Sequence, residues 1–146
     1  MRWKQFSEHG VQSHVELANL FLKQLDGLSV IEQLKQQGIV QIIKRPLLCY
    51  GAMTVIDCQT KLVIFLSHEK GIDQWLKTMG HEIGHSFFYY KRGARIVRSC
   101  KKTDAEETFC EVFSEKWLVQ NNNSLGTETL LAPHFNNENK WSYINL

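Results

Sequence analysis

The 146-residue sequence has no run of about 18 apolar residues, the length that a membrane-spanning helix requires. Its first residues lack the apolar core of a signal peptide, so we expect a cytoplasmic protein with no membrane partner. The four cysteines form no Cys-x-x-Cys pair, and we expect them to be reduced and to act as small apolar residues. Repeats and linkers rich in proline, glycine or serine are also absent, which predicts a single domain over residues 1–146.

The charges are nearly balanced. Seventeen lysine and arginine residues stand against fifteen aspartate and glutamate residues, which gives a formal net charge of +2. So small an excess does not predict direct binding to nucleic acid. Basic residues are concentrated between positions 91 and 102, where we expect a solvated loop, with a contact surface for an acidic partner as the alternative.

The first half of the sequence predicts two helices followed by strands. Apolar residues at helical spacing predict a helix over residues 11–25. A shorter helix is predicted between Ser29, which can cap its start, and Gly38, which can end it. Three later segments are rich in β-branched, leucine and aromatic residues, which predicts an antiparallel meander of three strands over residues 39–44, 47–56 and 61–67.

The second half predicts two longer helices. The first opens near Ile72, carries an apolar stripe and closes at Gly93. The second starts at Thr103, which forms a capping box with Glu106, and runs to about residue 120. Residues 121–146 are expected to form an irregular tail. The predicted fold class is therefore α+β, with a three-stranded, mostly antiparallel sheet packed on these helices and on the N-terminal helix.

The most informative segment is His81-Glu82-Ile83-Gly84-His85. Residues four apart share one face of a helix, so His81 and His85 can bind one ion at about 2.0–2.1 Å. Glu82 falls beside that ion, where it can take a proton from a metal-activated water. Gly84 costs a helix about 1 kcal/mol relative to alanine, which indicates the close approach of another backbone. The segment therefore predicts a catalytic zinc site; ordinary polar histidines on a helix surface are the alternative.

A catalytic zinc site needs a third protein ligand and one open position. No third histidine follows at short spacing, so we expect a carboxylate from the next helix. Glu107 is favoured because it shares a polar, small-residue stripe with Cys110 and Glu111, while Glu106 and Cys110 are the alternative ligands. Glu111 would accept a hydrogen bond from a ligand imidazole and fix its tautomer.

The two motifs together resemble the ImmA/IrrE family of zinc metallopeptidases. In that family a Glu-x-x-(Ala/Cys)-(Asn/Asp)-x-Phe-Ala helix follows a His-Glu-x-x-His helix, and here residues 107–114 read Glu-Thr-Phe-Cys-Glu-Val-Phe-Ser. The sequence departs from the family pattern at Glu111, where Asn or Asp is usual, and in residues 117–120, which replace a Leu-Leu-x-Pro ending. The resemblance implies a minimal zincin-like core over residues 39–120. It also implies that Zn²⁺ is bound by the residues that the spacing favours, His81, His85 and Glu107.

The resemblance also implies a way of binding substrate. In such domains the strand before the zinc helix is an exposed edge that pairs with an extended peptide, and residues 61–67 would take that role here. The residues expected to bind substrate are Lys61, Val63, Phe65 and Ser67. An ordinary buried strand is the alternative.

The function expected from these features is hydrolysis of a peptide bond in a protein partner, with Glu82 as the general base. The resemblance implies a helix-turn-helix transcriptional repressor as the substrate. Two alternatives stay open: a non-catalytic, zinc-containing module that binds a protein, and a toxin or defence protease that cleaves another host protein. The sequence does not predict an oligomeric state.

Overall fold

Helices surround a mixed sheet in the part of the chain that the structure describes. The computed structural model describes residues 11–45, 52–67, 72–121 and 142–146. Within these ranges the fold is α+β. The four helices are α1 (Val11–Leu25), α2 (Val30–Gln36), α3 (Ile72–Ser86) and α4 (Asp104–Gln120). The six strands are β1 (Ile39–Arg45), β2 (Ala52–Ile56), β3 (Lys61–Ser67), β4 (Tyr89–Arg92), β5 (Arg95–Arg98) and β6 (Ser142–Asn145).

Two of the helices start at the caps that the sequence predicts. The hydroxyl of Ser29 accepts a hydrogen bond from the backbone N–H of Glu32 at 3.2 Å, which satisfies one free donor at the start of α2. Thr103 accepts one from the N–H of Glu106 at 3.3 Å and starts α4. Gly38, with a φ of +79°, turns the chain out of α2 and into β1.

The sheet is not the predicted meander. Four strands lie in the order β2-β3-β1-β6, and β3 runs parallel to β1 and antiparallel to β2. Strands β1 and β2, although consecutive, are therefore not neighbours, because β3 lies between them. Two strand spacings are only about 10 Å, and a link of the length of residues 46–51 covers that distance easily. That β1 and β2 are consecutive in the sequence therefore does not determine whether they are neighbours in the sheet.

The predicted irregular tail contains the fourth strand. Ser142–Asn145 form β6, which pairs antiparallel with β1 from Gln41 to Lys44. Ile144 is buried in this strand, whereas Tyr143 is about half exposed, so the alternation of a half-buried edge strand is present. Residues 122–141 of the predicted tail lie outside the described residues.

The helix predicted to close at Gly93 ends earlier, at Ser86. Strands β4 and β5 follow and pair as a hairpin, with Arg92 opposite Arg95. Aromatic residues from Phe87 to Tyr90 favour extended structure, and Gly93, with a φ of +64°, supplies the tight turn. The same glycine therefore ends the hairpin's first strand instead of a helix.

The core joins α1, α3 and α4. Helix α4 packs against both α3 and α1, and α3 also contacts β2 and β3. Aromatic rings fill the junction: Phe21 stacks on Phe87 with ring centroids 4.0 Å apart, and Phe109 and Phe113 close the cluster. This packing places one face of α3 directly against α4. None of the helices in the described ranges has the length and apolar character needed to cross a membrane.

Candidate metal centre

Glycines allow α3 and α4 to approach closely. A Cβ atom built on Gly84 would lie 3.2 Å from the sulfur and 3.3 Å from the Cα of Cys110. One turn earlier, a Cβ atom on Gly80 would lie 2.7 Å from the ring of Trp117. The expectation that Gly84 faces another backbone is confirmed. The close approach brings the histidines of α3 within reach of the first two turns of α4.

Three of the predicted ligands converge on one point. The Nε2 atoms of His81 and His85 are 3.2 Å apart. The two carboxylate oxygens of Glu107 lie 3.0 Å from Nε2 of His81 and 3.2 Å from Nε2 of His85. Ligand atoms about 2.0–2.1 Å from a tetrahedral ion are about 3.3 Å apart, so these separations fit a single metal ion between the three side chains.

Glu106, the alternative carboxylate ligand, points elsewhere. One oxygen lies 2.5 Å from Nδ1 of His85, and the other accepts a hydrogen bond from the guanidinium of Arg98. Burial alone would raise the pKa of Glu106, but the hydrogen bonds from His85 and Arg98 hold it below its usual value. Because both of its oxygens are engaged, Glu106 supports His85 instead of pointing to the candidate metal position. The sequence did not predict this role.

Glu111 lies beside the other histidine, as expected. Its Oε1 atom is 2.8 Å from Nδ1 of His81, which is an ion-pair distance. The approach does not have hydrogen-bond geometry, however, since Nδ1 of His81 has no hydrogen-bond partner in the described part of the chain. More than half of the Glu111 side chain is exposed, so its support of His81 is weaker than that of His85 by Glu106.

Glu82 is a buried carboxyl group beside the two histidines. Only 4% of its surface is exposed, and its Oε2 atom has no hydrogen-bond partner among the described residues. Burial raises the pKa of Glu82, although the nearby His85 and His81 act in the opposite direction. A buried carboxyl group with a raised pKa, next to a group of candidate metal ligands, has the properties of a proton-transferring residue.

Two residues of the basic segment reach the centre. The ammonium group of Lys102 lies 2.8 Å from Oε1 of Glu107, and Arg98 binds Glu106 as described above. Partial burial would raise the pKa of Glu107, but Lys102, His85 and His81 outweigh it and keep the pKa below its usual value. The predicted solvated loop is therefore wrong for Arg98, which lies on β5 and is mostly buried, whereas Lys102 is an exposed loop residue that also pairs with Glu107.

Cys110 is the competing third ligand. The ligand atoms of Cys110, His81 and His85 all lie within 4.8 Å of one another, so this cluster could also hold a metal ion. Burial raises the pKa of the Cys110 thiol well above its usual value, and three nearby carboxylates add to the effect. Metals bind the thiolate, so the protonated Cys110 is the less favourable third ligand, and Glu107, with oxygens 3.0 and 3.2 Å from the two histidines, is preferred.

Residues 61–67, predicted to be an exposed edge that binds a peptide, lie inside the sheet as β3. Strand β3 is paired with β1 from Leu62 to Ser67 and with β2 from Lys61 to Phe65, so residues 62–65 have no free backbone edge for a peptide. Val63 is buried, and Lys61 forms an exposed ion pair with Asp57. Ser67 is paired with β1 alone in the described part of the chain, so its predicted role stays a prediction. The buried-strand alternative is the one that the structure bears out.

The geometry leaves a centre that could hold a metal ion, formed where α3 meets α4. No protein family model matches this sequence, and neither a curated protein nor a solved structure matches it significantly.

Proposed function

We propose that this protein is a zinc-dependent endopeptidase that hydrolyses a peptide bond in a protein partner. The observation that carries the proposal is the convergence of His81, His85 and Glu107 on one point, beside the buried carboxyl group of Glu82, whose Oε2 atom has no hydrogen-bond partner among the described residues. A site that only held a structural ion would have no need of Glu82. The minimal zincin-like fold and the resemblance to the ImmA/IrrE family belong to this proposal.

Each residue of the centre has a distinct part. His81, His85 and Glu107 would hold the ion, while Glu106 orients the imidazole of His85 through a hydrogen bond and Glu111 supports His81 by its charge alone. A bound zinc ion would supply Lewis acidity, which acidifies water and polarises a scissile carbonyl group. Glu82 accepts the proton that the attacking water releases and returns it to the leaving amine.

The substrate class rests on the family resemblance. A helix-turn-helix repressor is the first candidate, and another host protein, as for a toxin or defence protease, is the second. The peptide cannot pair with residues 62–65 of β3, so an extended substrate would have to bind elsewhere around the centre.

A metal-containing binding module is the rival function, and the burial of Glu82 favours it. Only 4% of the surface of Glu82 is exposed, which limits the access of water to its carboxyl group. In that case the ion would stabilise the contact between α3 and α4, and the protein would hold its partner without cleaving it.

The test compares the wild-type protein with Glu82→Gln. Zinc content is measured by mass spectrometry of the metal, and cleavage by mass spectrometry of a proteome-derived peptide library and of co-expressed candidate repressors. We expect both proteins to hold one zinc ion and only the wild type to cleave, since loss of a general base lowers rates by about 100-fold to 10,000-fold. Equal cleavage by both would exclude Glu82 as the base. Zinc binding by the wild type without cleavage of any library peptide would favour the binding module.

The ligand set is tested separately with Glu107→Gln and Cys110→Ser. Both side chains lie on the same helix, one turn apart, and each change is nearly isosteric. We expect Glu107→Gln to weaken zinc binding more than about 100-fold, beyond the effect of a supporting residue, and Cys110→Ser to leave it within a few-fold. The reverse pattern would assign the third position to Cys110.

A further inference from the structure

Arg98, at the end of β5, is bound to three groups at the base of the hairpin. Its guanidinium donates to Oε1 of Glu106, and its Nε atom donates to the backbone carbonyl of Cys100 at 3.1 Å. The guanidinium carbon also lies 5.1 Å from the centre of the Tyr89 ring, within the range of a cation–π contact. These contacts fix the guanidinium in position, and only 26% of the side chain is exposed.

We propose that Arg98 is a positioning residue of the metal centre, which acts through Glu106 to direct Nε2 of His85 at the ion. The inference rests on the metal site of the proposed function, but not on its peptidase activity.

The geometry forms one continuous chain of contacts. Arg98 occupies one oxygen of Glu106, and the other oxygen lies 2.5 Å from Nδ1 of His85. A carboxylate held at both oxygens cannot rotate about its terminal bond, so the direction of the bond to His85 is fixed. With its proton on Nδ1 and donated to Glu106, His85 presents the lone pair of Nε2 on the side of His81 and Glu107.

Burial makes Glu106 depend on its cation. The Glu106 side chain is 1% exposed, so water cannot replace a lost partner. Without Arg98 the carboxylate would keep one partner only, and its orientation against His85 would no longer be determined. Exposed Glu111 beside His81 has no such dependence, because water reaches it.

The rival explanation is that Arg98 merely fastens the hairpin to α4. Loss of that role would lower the free energy of unfolding but would leave the zinc affinity of the folded protein unchanged. The two explanations are therefore separated by measuring both quantities on the same variants.

The experiment is a double-mutant cycle on Arg98→Met and Glu106→Gln, with Arg95→Met as the matched control. Arg95 lies on the same strand and is exposed, away from the metal centre. Zinc affinity is measured by competition with a chelator, and Co²⁺ absorption reports the coordination geometry. Urea unfolding of the metal-free proteins gives the stability of each variant.

We expect Arg98→Met and Glu106→Gln each to weaken zinc binding about 10-fold to 100-fold and to alter the Co²⁺ spectrum, with Arg95→Met like the wild type. The double variant should bind zinc no more weakly than the weaker-binding single variant, because both changes interrupt the same chain of contacts to His85. Arg98→Lys should recover part of the affinity.

Three results would overturn the inference: unchanged zinc affinity of folded Arg98→Met, multiplicative losses in the double variant, or a loss as large in Arg95→Met. If Arg98→Met fails to fold, Arg98→Lys and the double variant, which leaves no buried charge unpaired, still decide the question. A wild-type protein that binds no zinc would refute the proposed function itself, and this inference with it.

Discussion

The tight packing of Gly80 in α3 against Trp117 in α4 leads to a prediction whose size follows from the structure. Gly80 lies opposite Trp117, and a Cβ atom added at Gly80 would be 2.7 Å from Cε3 of the indole ring. Carbon atoms in contact prefer about 3.5–4.0 Å, so Gly80→Ala creates an overlap of about 1 Å. Trp117 cannot yield easily, because it is fully buried and its Nε1–H donates to Oε1 of Gln33 at 2.7 Å.

The net effect is the difference between two contributions. Overpacking a rigid core position costs about 1–3 kcal/mol. Alanine recovers about 1 kcal/mol of helix propensity relative to glycine. An overlap of about 1 Å against a rigid ring places the overpacking cost in the upper part of its range. After the gain in helix propensity is subtracted, we expect Gly80→Ala to lower the free energy of unfolding by about 1–2 kcal/mol. For a chain of this size the midpoint of thermal unfolding should fall by about 3–7 °C.

Urea unfolding of the metal-free protein, followed by tryptophan fluorescence and circular dichroism, measures the change. Glu115→Ala, at an exposed position of α4, is the control and should stay within about 0.5 kcal/mol of the wild type. In a Trp117→Phe background, Gly80→Ala should cost less, because the smaller ring relieves the overlap. If Gly80→Ala is as stable as the wild type, the added Cβ atom does not strain the packing against Trp117, and the reasoning is refuted.

Two further predictions concern stability away from the metal. Gln33→Met leaves the buried N–H of Trp117 without its acceptor and should lower the free energy of unfolding by about 1–3 kcal/mol, measured by urea unfolding, whereas Gln36→Met on the exposed face of α2 should change it little. Thr103→Ala removes the cap of α4 and should cost about 1 kcal/mol, while Thr103→Ser should retain most of the stability; equal losses in both variants would contradict the capping argument.

Helix starts could be predicted from the sequence because they depend on local chemistry. Ser29 and Thr103 each supply a hydroxyl acceptor three residues before an N–H that lacks a partner, and both caps are present. The end of α3 could not be predicted in the same way. Gly93 permits a left-handed turn, but whether that turn ends a helix or joins two strands depends on how the aromatic residues before it pack.

The candidate metal ligands show the same division between local and tertiary information. His81 and His85 were predictable because a single helix fixes their relation. The choice between Glu106 and Glu107 was not, because neighbouring residues point about 100° apart on a helix and the rotation of α4 is set by tertiary packing. The order of the strands in the sheet likewise depends on pairing between residues far apart in the sequence, which places β3 between β1 and β2.

The far end of α4 carries a closed ring of buried hydrogen-bonding groups. Gln33 joins the indole N–H of Trp117 to the amide of Asn121, which in turn caps the carbonyl of Trp117. Sliding the helix by one turn would break these bonds together. Trp117 lies about 15 Å along the helix from Glu107. The hydrogen bonds that fix the position of α4 at Trp117 therefore also fix where the helix places the carboxylate of Glu107.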